Sequence, residues 1–372
     1  MKMFLLYSLI IIHLSSASSQ PPKLIHKIHY DGQRASRARY YGGDALYVTT
    51  RRGGLHVFDV STTPPIESFT FNESTTCLEG QDKDTTGQYL ALTDPCKGDV
   101  YVLDTYTRRV RSRTTLWPSS GALHVRWIGG FDFIISNPGH LWMSHNNTWS
   151  DSQSYQLDGI VLLRFDDSTD SISVVANASS GRIRGTESLT LIDNNNKVMI
   201  GGFRSNAMDV VDLSQHNTTD TITIIRERSN ESWKQMVGFW DERRDVALLG
   251  LWTNEGGIIA LNRELNEVGR RVIGLPYANR VKRSSRFEHI VATPLETSNG
   301  GGFAILNVTN LNQMSVDYVL KHGVVEGGEK TNVNETVYAL EFVESKLYVA
   351  ATDGILRVYQ LFYDGGDDDD IE

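Results

Sequence analysis

The chain has 372 residues, 40% hydrophobic, 22% charged and 9% aromatic, with 32 glycines and 9 prolines. That is a globular composition, which excludes collagen-like, coiled-coil and wholly disordered chains. The formal net charge of -9 gives no overall basic field to draw the protein onto nucleic acid, so nucleic-acid functions are set aside.

Residues 1–19 read as a secretory signal peptide: Lys2 is a short positive region, Phe4 to Leu14 is an apolar run, and Ser15 to Ser19 offers small residues for cleavage. The apolar run is shorter than the roughly 20 residues that cross a bilayer, and no later segment reaches that length without charges, so no membrane span is expected. A secreted, extracellular protein starting near Gln20 follows. Seven Asn-x-Ser/Thr sequons, at Asn72, Asn146, Asn177, Asn217, Asn230, Asn307 and Asn334, agree with that route and would mark exposed positions. The two cysteines, Cys77 and Cys96, fit one disulfide in an oxidising compartment and are too few for a thiolate metal site.

Next comes a repeated unit: an alternating strand, a loop that often carries glycine, and a second strand ending in Asp or Asn. Its copies end at Asp59 (LHVFDV), Asp104 (VYVLDT), Asp166 (VLLRFDD), Asp212 (MDVVDL), Asn262 and Asn307, and at Gln360 in the last. Successive markers lie 45, 62, 46, 50, 45 and 53 residues apart, the 62 containing a polar insertion from Asn137 to Asp158. A four-stranded propeller blade takes about 40–50 residues. Period-2 alternation, as in Leu46, Val48, Leu55 and Val57, predicts half-buried antiparallel strands, and no long helical periodicity follows the leader. The expected fold is an all-β, seven-bladed β-propeller over residues 20–363. The last repeat offers three strands, and Lys23 to Tyr30 is expected to close the ring as its missing outer strand.

These hydrophobic-Asp endings resemble the LVIVD group of propeller repeats, and more loosely the WD40 and lactonase-type propellers. The resemblance spans nearly all of the mature chain but is one of repeat pattern and carries no catalytic motif, so it implies a fold and little about function. Within such a blade, antiparallel pairing puts Cys77 beside Cys96, stapling one hairpin. The repeated Asp and Asn are read as turn caps, since either side chain accepts backbone N–H bonds.

Propellers gather polar groups at the mouth of the central channel. Counting back from each repeat places Arg39, Glu79, His124, Glu187, Gln235, His289 and Glu335 there. His124, Glu187, His289 and Glu335 are the candidates for acid/base or metal chemistry; no cofactor is expected, and a channel-bound metal ion is the one left open. The insertion offers a second candidate surface, with Trp142, Met143, Trp149 and Tyr155 beside His140 and His145, the residue types of a binding loop. The run Arg280-Val281-Lys282-Arg283 has the spacing of a convertase site, or is a solvated basic loop. Thr107 to Arg113 reads as a solvated basic outer strand.

The preferred reading is a secreted glycoprotein that binds an extracellular protein or small-molecule ligand through one face. The competing readings are a lactonase-like or metal-dependent hydrolase or isomerase at the channel mouth, and an extracellular matrix or mineral-associated structural protein. The last rests on the acidic tail, residues 364–372, which is expected to be disordered. Without residues 1–19 the charge is -10, of which the tail carries -6, leaving a nearly balanced body of -4.

Overall fold

A computed structural model describes residues 20–72, 77–116, 124–138, 141–143, 149–151, 158–178, 183, 186–202, 206–229, 235–275, 277–278, 280–295, 301–321 and 337–363. The strands run in chain order. β1 (Lys23–His29) precedes the first blade, which is β2 (Gln33–Tyr40), β3 (Ala45–Arg52), β4 (Gly54–Asp59) and β5 (Ile66–Phe71). Blade two is β6 (Gln81–Lys83), β7 (Tyr89–Asp94), β8 (Asp99–Asp104) and β9 (Arg109–Thr115). Blade three begins with β10 (Val125–Gly129) and β11 (Asp132–Pro138), sets aside a separate hairpin of β12 (Leu141–Met143) and β13 (Trp149–Asp151), and resumes with β14 (Asp158–Asp166) and β15 (Ser171–Ala178). Blade four is β16 (Thr186–Ile192), β17 (Lys197–Gly202), β18 (Ala207–Asp212) and β19 (Thr223–Ser229), with the one-turn helix α1 (His216–Thr219) before β19. Blade five is β20 (Gln235–Asp241), β21 (Val246–Leu251), β22 (Gly257–Asn262) and β23 (Glu267–Val272). Blade six is β24 (Lys282–Arg283), β25 (Ile290–Leu295), β26 (Gly302–Asn307) and β27 (Ser315–Lys321). Blade seven is β28 (Val337–Val343), β29 (Lys346–Ala351) and β30 (Ile355–Gln360). Its fourth strand is β1, antiparallel to β30 from Lys23 opposite Gln360 to His29 opposite Ile355.

Each sheet is an antiparallel meander whose two faces pack on the neighbouring blades. The alternation in the sequence therefore separates two interfaces, not core from water. In β7, Leu90 and Leu92 join the apolar cluster shared with blade one, while Tyr89 and Ala91 join the one shared with blade three. All six residues of β7 are buried, as are those of β8, β21 and β25, which corrects the expectation of half-buried strands. Only outermost strands such as β5 alternate between partly buried and exposed. Among the described residues seven apolar clusters occupy the seven gaps between successive blades. The gap between blades seven and one is filled by Leu46, Val48 and Phe58 against Tyr348, Leu356 and Val358. Each fully buried Leu, Val or Phe stabilises by about 1.5–3 kcal/mol relative to exposure.

The repeated Asp and Asn sit at the last residue of the third strand and cap the turn that follows. Asp59, Asp166 and Asp212 each accept the amide two residues on, at 3.0, 2.9 and 2.8 Å. Asp104 accepts those of Tyr106 and Thr107, Asn262 those of Glu264 and Asn266, and Asn307 that of Thr309. Gln360 departs from the pattern because β30 continues into a different connection; its amide donates to Ser345.

Candidate functional site

The innermost strands bring charge to the axis. Ala35 and Ala38 of β2 enter the cluster with blade seven, leaving Arg37 and Arg39 to line an axial cavity of about 290 Å3. Val125 and Trp127 of β10 enter the cluster with blade two, leaving Arg126 to the cavity. Blade six adds Arg280 and Lys282, blade seven Glu341, and blade five residues 237–240 of β20, of which Phe239 packs toward blade six and Trp240 toward blade four.

One end of this assembly is held by Glu79, which precedes β6. Its Oε2 accepts from Arg51 Nε at 2.7 Å, and its Oε1 from Arg280 Nη2 at 3.0 Å. Arg280 also donates to the carbonyl of Ser36, so blades six, one and two are tied together across the axis. Burial alone would raise the Glu79 carboxyl, but Arg51, Arg280 and Arg37 outweigh it and hold it at about 2. Further along, Asp82 lies 3.7 Å from Arg126 and accepts the Trp127 amide, and Lys282 is paired with Glu341.

Cations outnumber carboxylates here: Arg37, Arg39, Arg51, Arg126, Arg280 and Lys282 face Glu79, Asp82 and Glu341. Burial and the nearby Arg280 push Arg37 well down. Burial and Arg39 lower Arg126 to about 10. Burial and Arg39 bring the Lys282 ammonium down to about 7, against the pull of Glu341. Burial would lower Arg39 too, but Tyr41, Asp82 and Glu341 hold its charge. An arginine stays charged at neutral pH whatever its surroundings, so the lowered values of Arg37 and Arg126 reflect the cost of burying that charge first and the neighbouring cations second. Arg37 is 3% exposed, and its Nε and Nη2 meet no acceptor among the described residues; neither does Arg39 Nε.

Of the residues expected at the channel, Arg39, Glu79 and His124 are there. His124 is buried, and its imidazolium is strongly disfavoured by burial and then by Arg37, Arg280, Arg126 and Arg39; a cation beside it would meet the same field. Glu187 and Gln235 lie on inner strands β16 and β20, but their side chains, like the whole of Glu335, fall outside the described residues. His289 is not at the channel. It lies in the turn between β24 and β25, its carbonyl accepting the Val308 amide and its ring acting on Asp317. The inner strand of blade six is the run at Arg280–Arg283, and Ile290–Leu295 is the second strand, so counting back stopped one strand short. The same finding corrects the convertase reading. Arg280 and Ser284 are buried, at 5% and 0% exposure, and Val237 bridges Arg280; a protease needs an accessible extended segment, and this one is built into the axis.

Arg37, Asp82, Arg126, Lys282 and Glu341 were missed. The available signal was a charge inside an apolar strand, as with Arg126 between Val125 and Trp127 or Glu341 between Leu340 and Phe342. The second candidate surface is described only in its backbone, β12 and β13, so the side chains of Trp142, Met143 and Trp149, and all of His140, His145 and Tyr155, lie outside the described residues. The basic outer strand β9 is partly neutralised: Arg111 reaches Asp167 and Asp170 of blade three at 3.1 and 2.6 Å, and Arg113 reaches Asp99.

Cys77 and Cys96 form a disulfide. With Asp94 they are the one group of metal-ligand spacing among the described residues. Its sulfurs are joined to each other, and Asp94 accepts the amides of Cys77, Cys96 and Lys97, so the group is a turn staple. Asn72, Asn177 and Asn217 are exposed; Asn307 is half-buried with its Oδ1 engaged by Thr309; Asn146, Asn230 and Asn334 lie outside the described residues.

No protein-family model matches the chain, and no curated protein does. Among solved structures it is similar to the β-propeller domain of Cps50 (Swd1) from Myceliophteria thermophila, with a TM-score of 0.65 and 12% identity over 91% of this chain and 100% of that one. At that identity the likeness is one of fold: the protein is an all-β, seven-bladed propeller.

Proposed function

We propose that this propeller is a secreted, N-glycosylated binding protein that takes an anionic ligand at its axis. The observation that carries the reading is the axial cavity whose cationic side chains, from blades one, three and six, exceed its carboxylates. In a low-dielectric site such an excess is relieved by a bound anion. The propeller fold and its LVIVD-like repeats agree with binding in general, and the exposed Asn72, Asn177 and Asn217 agree with a glycoprotein. The hydrolase reading is less well supported, because His124 stands among arginines and His289 is remote from it. A thermal-shift panel of anions, cations and neutral solutes tests the proposal: anions alone should stabilise, and the effect should fall in Arg126→Gln. Stabilisation by divalent cations with anions inert would overturn it. For the secreted part, mass loss on peptide N-glycosidase treatment of protein from a eukaryotic host is the expected result.

A further inference from the structure

The axial cavity takes its positive charge from arginines, with one amine among them. Of the described residues that line it, Lys282 alone carries a cation that can be given up near neutral pH; Arg37, Arg39, Arg126, Arg280 and Arg283 keep theirs. Alternation along the chain puts it there. Val281 packs in the cluster between blades five and six, and the next side chain turns the other way, to Glu341 on β28 of blade seven. Lys282 and Glu341 keep 17% and 11% side-chain exposure, and the cavity they line opens to solvent. The charged groups acting on the amine are Arg39 of β2, Glu341 of β28 and Arg126 of β10, two cations against one carboxylate. Burial and Arg39 bring it to about 7. About half of the molecules then hold a neutral amine at pH 7, against roughly one in a few thousand for a lysine in water.

A lysine relieved of its proton by burial and neighbouring cations is a nucleophile. Resting on the anion-binding reading above, we infer that Lys282 captures an aldehyde or ketone bearing an anionic group, as an imine on its Nζ, with Arg39 and Arg126 beside the anion. Glu341 takes one proton from the Lys282 ammonium. The freed nitrogen pair bonds to the carbonyl carbon while the C=O π pair moves onto oxygen, and a second N–H proton passes to that oxygen. Glu341 then returns its proton, the C–O bond breaks to release water, and a protonated C=N bond remains. The product keeps the positive charge at Nζ, so the pair with Glu341 is preserved and no oxidant or reductant is consumed. Such a step explains why a lysine stands where the rest of the axis uses arginine.

Reductive trapping tests this. The full-length protein at pH 7 is treated with 4-formylbenzoate or the neutral 4-formylbenzamide in the presence of cyanoborohydride, and the adducts are mapped by peptide mass spectrometry. The benzoate should label Lys282 at least tenfold faster than it labels the exposed Lys23 and Lys27, and at least tenfold faster than the amide does. Excess inorganic phosphate should suppress the label. Lys282→Gln should leave only the adducts on surface lysines, and the wild-type map decides the matter even if that variant does not fold. Labelling of Lys282 no faster than of Lys23, with phosphate binding in a calorimetric titration, leaves the anion site standing and overturns the amine. Equal labelling by the amide, or labelling that phosphate does not suppress, overturns the link between the amine and the anion. If phosphate does not bind and Lys282 stays unlabelled, both readings fail together.

Discussion

Replacing Glu79 by glutamine removes the carboxylate that Arg51 and Arg280 share and leaves the buried Arg280 and the half-buried Arg51 beside a neutral amide with one acceptor oxygen in place of two charged ones. The folded carboxyl sits at about 2 against an unperturbed 4.5, which through linkage amounts to about 3 kcal/mol of stability at pH 7. Breaking buried pairs in general removes about 3–5 kcal/mol. Because the folded value is the lower one, this stability is fully present above about pH 4.5 and is lost as the pH falls toward 2. By pH 3 it should shrink to about 1.4 kcal/mol. Differential scanning fluorimetry of wild type and Glu79→Gln should show a melting temperature lower by about 4–7 °C at pH 7, and a gap less than half as large at pH 3. Comparing the two proteins cancels Asp94, which burial raises to about 6 against its amide partners and which destabilises the fold as pH rises from 3.8 to 6. A variant as stable as wild type at pH 7, or a gap that does not close in acid, would refute the account of Glu79 as the tie across the axis.

Replacing Cys77 and Cys96 together by serine should cost about 3 kcal/mol through the freed loop, checked by denaturant midpoints with and without reductant; identical midpoints would remove the disulfide from the stability argument. Deleting residues 20–30 exposes the edge of β30 and removes Leu24, Ile25 and Ile28 from their clusters, so gel filtration should find oligomers; a monomer with unchanged melting would contradict this. The affinity for phosphate at the axis should fall as pH rises through about 7, because the Lys282 ammonium, flanked by Arg39, Arg126 and Glu341, loses its proton there. Lys282→Gln should flatten that profile, and a wild-type affinity constant from pH 6 to 8 would exclude Lys282 from the site.

The blades were legible because a strand buried on both sides writes its pattern twice. The residues Leu90 and Leu92 serve one gap and Tyr89 and Ala91 the other, and the turn-capping Asp or Asn marks where each third strand stops. The axis was less legible for the opposite reason. Inner strands are short, and β24 is two basic residues long with no apolar alternation to announce it, so Arg280–Arg283 reads as a basic loop and counting back from the repeat reaches His289 instead. Nor does spacing reveal that Glu79 and Arg280, 201 residues apart, meet across the ring. Charge at the axis was further masked by the total: a chain of -9 nevertheless places Arg37, Arg39, Arg126, Arg280 and Lys282 there.

The antiparallel match of β1 with β30 also bears on how the molecule is made. The first of the propeller's described strands to be made has its partner more than three hundred residues later in the sequence. Six blades can complete their own hairpins as they emerge, but the seventh must wait, with Lys23–His29 unpaired until β30 has been made. Local meanders should therefore form quickly and ring closure should be the slow, late step, the stage at which an open edge is most exposed to a neighbouring nascent chain.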